Sequence, residues 1–123
     1  KNLNQKQKQL LFQRLLEREA LTSTGIGRGV AIPHPRAPIS EIFTTASIAV
    51  FFLHEPIDYH AIDRRPVFLI FMLLCQDVKS HLHWLSKLSF CLRNDSFIEM
   101  LTSVPSKERL LNDIGRIEAG TYR

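Results

Sequence analysis

Five residues carry the types and spacing that chemistry could use: Arg18, Ser23, Thr24, His34 and His81. His34 stands between Pro33 and Pro35 in "TGIGRGVAIPHPRAPI". Pro35 confines His34 to extended geometry and Pro33 has a fixed φ of its own, so covalent structure already holds the imidazole. Rigid placement suits a nucleophile; a loop histidine at a strand end is the plain alternative. His81 opens a helical pattern in which Leu85, Leu88 and Leu92 share its direction, so it is expected to face inward within the first turn. A helix N-terminus favours an anion there and disfavours imidazolium. With the guanidinium of Arg18 and the hydroxyls of Ser23 and Thr24, the set suits a phosphate attached to imidazole.

Other chemistries fit less well. Gly25, Gly27 and Gly29 follow a helix and open a strand, the reverse of a dinucleotide fingerprint, and no Gly-Lys-Ser/Thr follows. These glycines read as a tight turn, and they could also let the backbone approach whatever His34 carries. His83 falls on the other side of the helix from His81, which argues against a shared metal. His54 and His60 read as surface residues. No Gly-x-Ser-x-Gly elbow is present, and neither cysteine lies near a turn. No cofactor or metal is expected.

The elements that must position these residues follow from periodicity. "NLNQKQKQLLFQRLLEREALTS" predicts a helix with Leu11, Leu15 and Leu21 inward. "VAI" predicts a short strand ending at Pro33, Phe43–Leu53 a second strand, and "HEPIDYHAIDRRP" an irregular connection. "VFLIFMLLC" is apolar throughout, as in a central strand covered on both faces. Helices are expected from Lys79 to about Arg93, from a Ser96/Glu99 capping box through Val104, and from a Ser106 cap through Ile117. The fold class is α/β, a mixed β-sheet flanked by helices on both faces, in a single domain over residues 1–123.

With 123 residues, 45% apolar and 23% charged, the composition is that of a soluble globular domain with a real core. The net charge of +4 is scattered rather than blocked, which argues against a nucleic-acid arm. No apolar run reaches membrane-spanning length and no signal-peptide pattern opens the chain, so a cytoplasmic protein without membrane insertion is expected. Cys75 and Cys91 read as buried free thiols.

Three segments, "LLEREALTSTGIGRGVAIPHPR", "PIDYHAIDRRPVFLIFMLL" and "SHLHWLSKLSFCL", make the sequence resemble enzyme IIA domains of the fructose/mannitol class of the bacterial phosphoenolpyruvate-dependent phosphotransferase system. "IDYHAIDRRPV" and "HLHWLS" are closer to the nitrogen-regulatory IIA branch. The resemblance implies that His34 takes a phosphoryl group on Nε2 from the phospho-carrier HPr or its nitrogen-branch counterpart. It implies that His34 then passes the group to a IIB domain, or signals to a regulated protein by its phosphorylation state. It makes His81 the second active-site histidine, Arg18 the arginine of the family's "RE" element, and Ser23 and Thr24 its "ST"; no metal is needed. His60 stands where the branch often has Asp or Gly, and Phe68 where a polar residue is common. Family domains usually carry a helix before the point where this chain starts. A sugar-uptake IIA component and a non-catalytic regulatory binding module are the alternatives.

Overall fold

A computed structural model of the chain describes residues 2–120; Lys1 and residues 121–123 of the expected domain lie outside the described residues. It contains a mixed four-stranded sheet and four α-helices. Two compact units divide the chain, residues 1–84 and 85–123.

In the first unit, α1 (Gln5–Glu19) starts at a reciprocal cap. The Asn4 side chain accepts the Gln7 N–H at 2.8 Å, and the Gln7 side chain accepts the Asn4 N–H at 3.0 Å. No α1 residue is fully buried, but Leu10 and Leu11 pack on a cluster of Ile39, Ile42 and Phe43. Leu11 and Leu15 are half-buried as expected. Leu21 is 60% exposed, because the helix ends at Glu19 and the periodicity no longer binds it.

β1 (Gly25–Gly27) and β2 (Val30–Ala31) form a hairpin that composition alone marked only as a turn. Its two-residue connection, Arg28-Gly29, has φ of 60° and 84°, the positive pair that a primed turn demands. The Asp63 carboxylate holds this tip, accepting the Arg28 N–H at 2.8 Å and the Arg65 N–H at 3.0 Å.

β3 (Ser47–Ile57) and β4 (Val67–Leu74) complete the sheet in the order β1-β2-β4-β3. The expected start of β3 at Phe43 is corrected to Ser47, because Ile39, Ile42 and Phe43 turn inward instead, with Ile42 and Phe43 N–H groups bonded to the Ile39 carbonyl. The strand also runs through Pro56, in what was expected to be irregular connection. An edge strand tolerates proline, and the register shifts between Phe52 and Ile57. β4 runs parallel to β2 and antiparallel to β3. Val67, Leu69, Phe71 and Leu73 are fully buried while Phe68, Ile70, Met72 and Leu74 are half-buried, so burial is complete on one face only.

α2 (Val78–Cys91) begins in the first unit and ends in the second. Asp77 accepts the Ser80 N–H at 2.8 Å and so caps its first turn. α3 (Asp95–Leu101) is capped by Asn94, whose side chain accepts the Phe97 N–H at 3.0 Å; the expected Ser96 cap is corrected, since Ser96 already lies inside the helix. α3 stops at Leu101, and Val104 has φ of 53°, so the helix does not reach Pro105. α4 (Lys107–Glu118) starts at the expected Ser106 cap. Both cysteines are free and buried.

Candidate functional site

Ile32, the residue after β2, leads directly into Pro33-His34-Pro35. Pro33 and Pro35 are buried and His34 is half-buried, so the prolines seat the backbone while the imidazole keeps access to solvent. The parallel neighbour continues the support: the Pro33 carbonyl accepts the Leu73 N–H at 2.9 Å. The ring itself is oriented by a bond from Nδ1 to the Ile32 carbonyl oxygen at 2.8 Å. A carbonyl only accepts, so Nδ1 carries the proton and Nε2 presents a lone pair.

His81 meets this ring from the first turn of α2. The two ring centroids lie 4.9 Å apart with planes tilted by 56°. Both imidazoles titrate below their ordinary value of 6.5. For His34 the chief cause is burial, opposed by the Ile32 bond; Arg18 lowers it further and Glu19 raises it. For His81 burial dominates, followed by repulsion from His34. Near neutral pH the uncharged form of both rings is therefore favoured, which leaves the His34 Nε2 lone pair unprotonated.

Arg18 lies at the C-terminal end of α1, where one guanidinium nitrogen donates to the Thr22 carbonyl at 2.8 Å. This bond fixes the fork and leaves its charge to act on His34. The Ser23 and Thr24 hydroxyls are engaged with partners inside the chain. Ser23 donates to the Tyr59 carbonyl at 2.7 Å and accepts the Gly25 N–H at 3.0 Å. Thr24, 4% exposed, donates its hydroxyl proton to Glu19 at 2.6 Å. Both hydroxyls are occupied in holding the loop.

Composition gave no reason to single out Glu19 or Tyr59. The adjacency of Glu19 to Arg18 was the available signal; Tyr59 lies in a connection where nothing marked it. The remaining histidines stand apart: His54 and His60 are exposed, and His83 is exposed and packs edge-on to Trp84 at 5.4 Å. Among the described residues, no group of three or more His, Cys, Asp or Glu side chains could hold a metal ion. Among them, too, no helix is long and apolar enough to cross a membrane.

The glycines have packing reasons. A Cβ at Gly25 would lie 2.7 Å from the Cβ of Ala61, and one at Gly29 would lie 2.5 Å from the Phe68 ring. Phe68 thus fills the space beneath the hairpin turn, and a glycine opposite it is what makes room.

Comparison with known proteins gives a consistent result. A nitrogen regulatory protein of Klebsiella oxytoca is 40% identical over 116 residues, covering 92% of this chain and 68% of that protein. The fructose-specific EIIABC component of Bacillus subtilis is 32% identical over 111 residues, covering 89% of this chain and 17% of that much longer protein. The crystal structure of the nitrogen regulatory protein IIA-Ntr from Neisseria meningitidis superimposes with a TM-score of 0.71 at 40% identity, over 80% of this chain and 67% of that one. The sequence profile described as "Phosphoenolpyruvate-dependent sugar phosphotransferase system, EIIA 2" matches residues 1–116, and the chain belongs to that family.

Proposed function

We propose that this chain is a phosphocarrier in which His34 receives a phosphoryl group on Nε2 and hands it on. The observation that carries this is the Nδ1 bond to the Ile32 carbonyl, which leaves Nε2 as a neutral nucleophile beside His81 and Arg18. In the forward step the Nε2 lone pair attacks phosphorus while the N–P bond of a phospho-histidine carrier, HPr or its nitrogen-branch counterpart, breaks. The donor imidazole leaves with that electron pair. The new phosphohistidine keeps its proton on Nδ1, so the positive charge on the ring is shared with the Ile32 carbonyl. Arg18 and the N-terminal turn of α2 supply the positive potential that a transferring phosphoryl group needs. Ser23 and Thr24 hold the loop on which these groups sit.

The acceptor is a IIB domain or a protein regulated by the phosphorylation state of His34. The regulatory role is favoured, since relatives at 40% identity are nitrogen regulatory proteins whereas the fructose-specific component matches at 32%. The chemistry belongs to the cytoplasm, where phosphoenolpyruvate is made. The test is the intact mass after incubation with phosphoenolpyruvate, enzyme I and the carrier. One acid-labile phosphoryl adduct is expected in the wild type and none in His34→Ala. An adduct that persists in the variant, or none with any carrier, overturns the assignment.

A further inference from the structure

The Glu19 carboxylate has no task in the transfer step, yet it accepts three hydrogen bonds beside the His34 loop. Its Oε2 accepts the Thr24 N–H at 2.7 Å. Its Oε1 accepts the Thr24 hydroxyl at 2.6 Å and the Tyr59 hydroxyl at 3.3 Å. Tyr59 is tied a second time through its own carbonyl, which accepts the Ser23 hydroxyl at 2.7 Å. One carboxylate thus joins the end of α1, the start of the glycine hairpin and the connection after β3. Bonds to a charged acceptor are stronger than neutral ones, and those to Thr24, which is 4% exposed, are shielded from water.

The path continues from Thr24 to the nucleophile in two bonds. The Thr24 carbonyl accepts the Ile32 N–H at 3.0 Å. The Ile32 carbonyl then accepts the His34 Nδ1 proton at 2.8 Å. Ile32 is 1% exposed and precedes a proline, which restricts its φ and ψ, so holding its N–H also constrains the direction of its carbonyl. We infer that Glu19 is a positioning residue for His34, acting through Thr24 and Ile32 to aim the carbonyl that fixes which imidazole nitrogen is the nucleophile. As a role in phosphoryl transfer, this rests on the phosphocarrier reading above; as a statement about the His34 ring, it does not.

The test separates the two. Glu19→Gln keeps the shape of the side chain but removes its charge and turns one acceptor into a donor. Thr24→Val keeps Glu19 and removes the shortest bond to it. Ring-nitrogen NMR of unphosphorylated His34 in the wild type is expected to show one tautomer, protonated on Nδ1. Both variants are expected to show a mixture of tautomers. In Glu19→Gln the pH midpoint of His34 also moves lower: among the described residues the titratable and charged groups facing it are Arg18 and Glu19 from α1 and His81 from α2, and the substitution removes the Glu19 charge that raises it while Arg18 still lowers it. Transfer to His34 is expected to slow by about ten- to a hundredfold at saturating carrier, with KM for the carrier unchanged. Wild-type ring spectra in both variants overturn the inference, as does a loss of rate that appears only in KM. A wild-type protein that accepts no phosphoryl group overturns the phosphocarrier reading, while the ring spectra still decide the part played by Glu19.

Discussion

The imidazoles of His34 and His81 face each other at a centroid separation of 4.9 Å, tilted by 56°, from a loop and a helix more than forty positions apart in the chain. At that distance two imidazolium ions would repel strongly, so the pair holds at most one charge comfortably. A neutral His81 can donate a ring N–H to a phosphoryl oxygen arriving on His34, and that is the contact expected to be lost in His81→Ala. Transfer is expected to fall by about a hundredfold, the cost typical of removing one donor to a developing charge. The thermal midpoint should change little by comparison, since His81 is only half-buried. Single-turnover transfer from phospho-carrier measures the first, and normal kinetics would remove His81 from the site.

The depressed titration of both rings has a definite sign. Burial, the largest cause for each, favours the neutral form, so the folded chain takes up these protons at lower pH than the unfolded chain, whose histidines titrate near 6.5. Their contribution to stability is complete above 6.5 and is lost as pH falls from there through the folded values. Phosphoryl acceptance follows the same neutral form of His34, so the acid limb of the transfer rate is expected below 6.5, with the carrier's own titration measured separately. Urea unfolding at about pH 7 and about pH 5 gives the stability change. An acid limb at or above 6.5 contradicts the burial argument.

Much of this was legible in the residues. The inward direction of His81 came from helical periodicity, a local property that tertiary packing then used. The stiffness of His34 came from its flanking prolines, which constrain φ wherever they occur. Less legible was β1, because two glycines around a single isoleucine give a Gly-Ile-Gly segment little β propensity, and it becomes a strand through pairing with β2. The start of β3 was misplaced for a similar reason: Phe43 has strand chemistry, but a cluster with Ile39, Ile42 and residues of α1 claims it. Glu19 and Tyr59 are forty positions apart, and no spacing rule reports a contact made by the folding of three separate segments.

Arg18→Lys tests whether the fork matters. The guanidinium spends one nitrogen on the Thr22 carbonyl and retains others for an anion, whereas an ammonium is a point charge without that geometry. Transfer is expected to slow by about tenfold while the charge-dependent depression of the His34 titration persists. Wild-type rates would exclude a phosphate-facing role for Arg18.

Val104 offers a stabilising substitution. Its φ of 53° places a β-branched residue in the left-handed region, and its side chain is 62% exposed, so little packing compensates the strain. Val104→Asn is expected to raise stability by about 1 kcal/mol, read from the denaturation midpoint. A decrease would mean that the exposed valine contributes packing that its accessibility conceals.

Gly25→Ala is expected to be among the costlier small substitutions in the chain. The new methyl would lie 2.7 Å from the Cβ and 2.9 Å from the Cα of Ala61, and the second of these atoms is backbone that no rotamer change can move. The two segments cannot simply part, because the Gly25 carbonyl accepts the Ile62 N–H at 3.2 Å and the Ser23 hydroxyl ties the Tyr59 carbonyl beside it. Relief therefore requires giving up a hydrogen bond or shifting the hairpin that leads to His34. A loss of about 1–3 kcal/mol is expected. Adding Ala61→Gly should recover part of it, since the Cβ contact disappears while the approach to Cα remains. A double variant no more stable than Gly25→Ala would place the strain elsewhere, in the backbone of the hairpin itself.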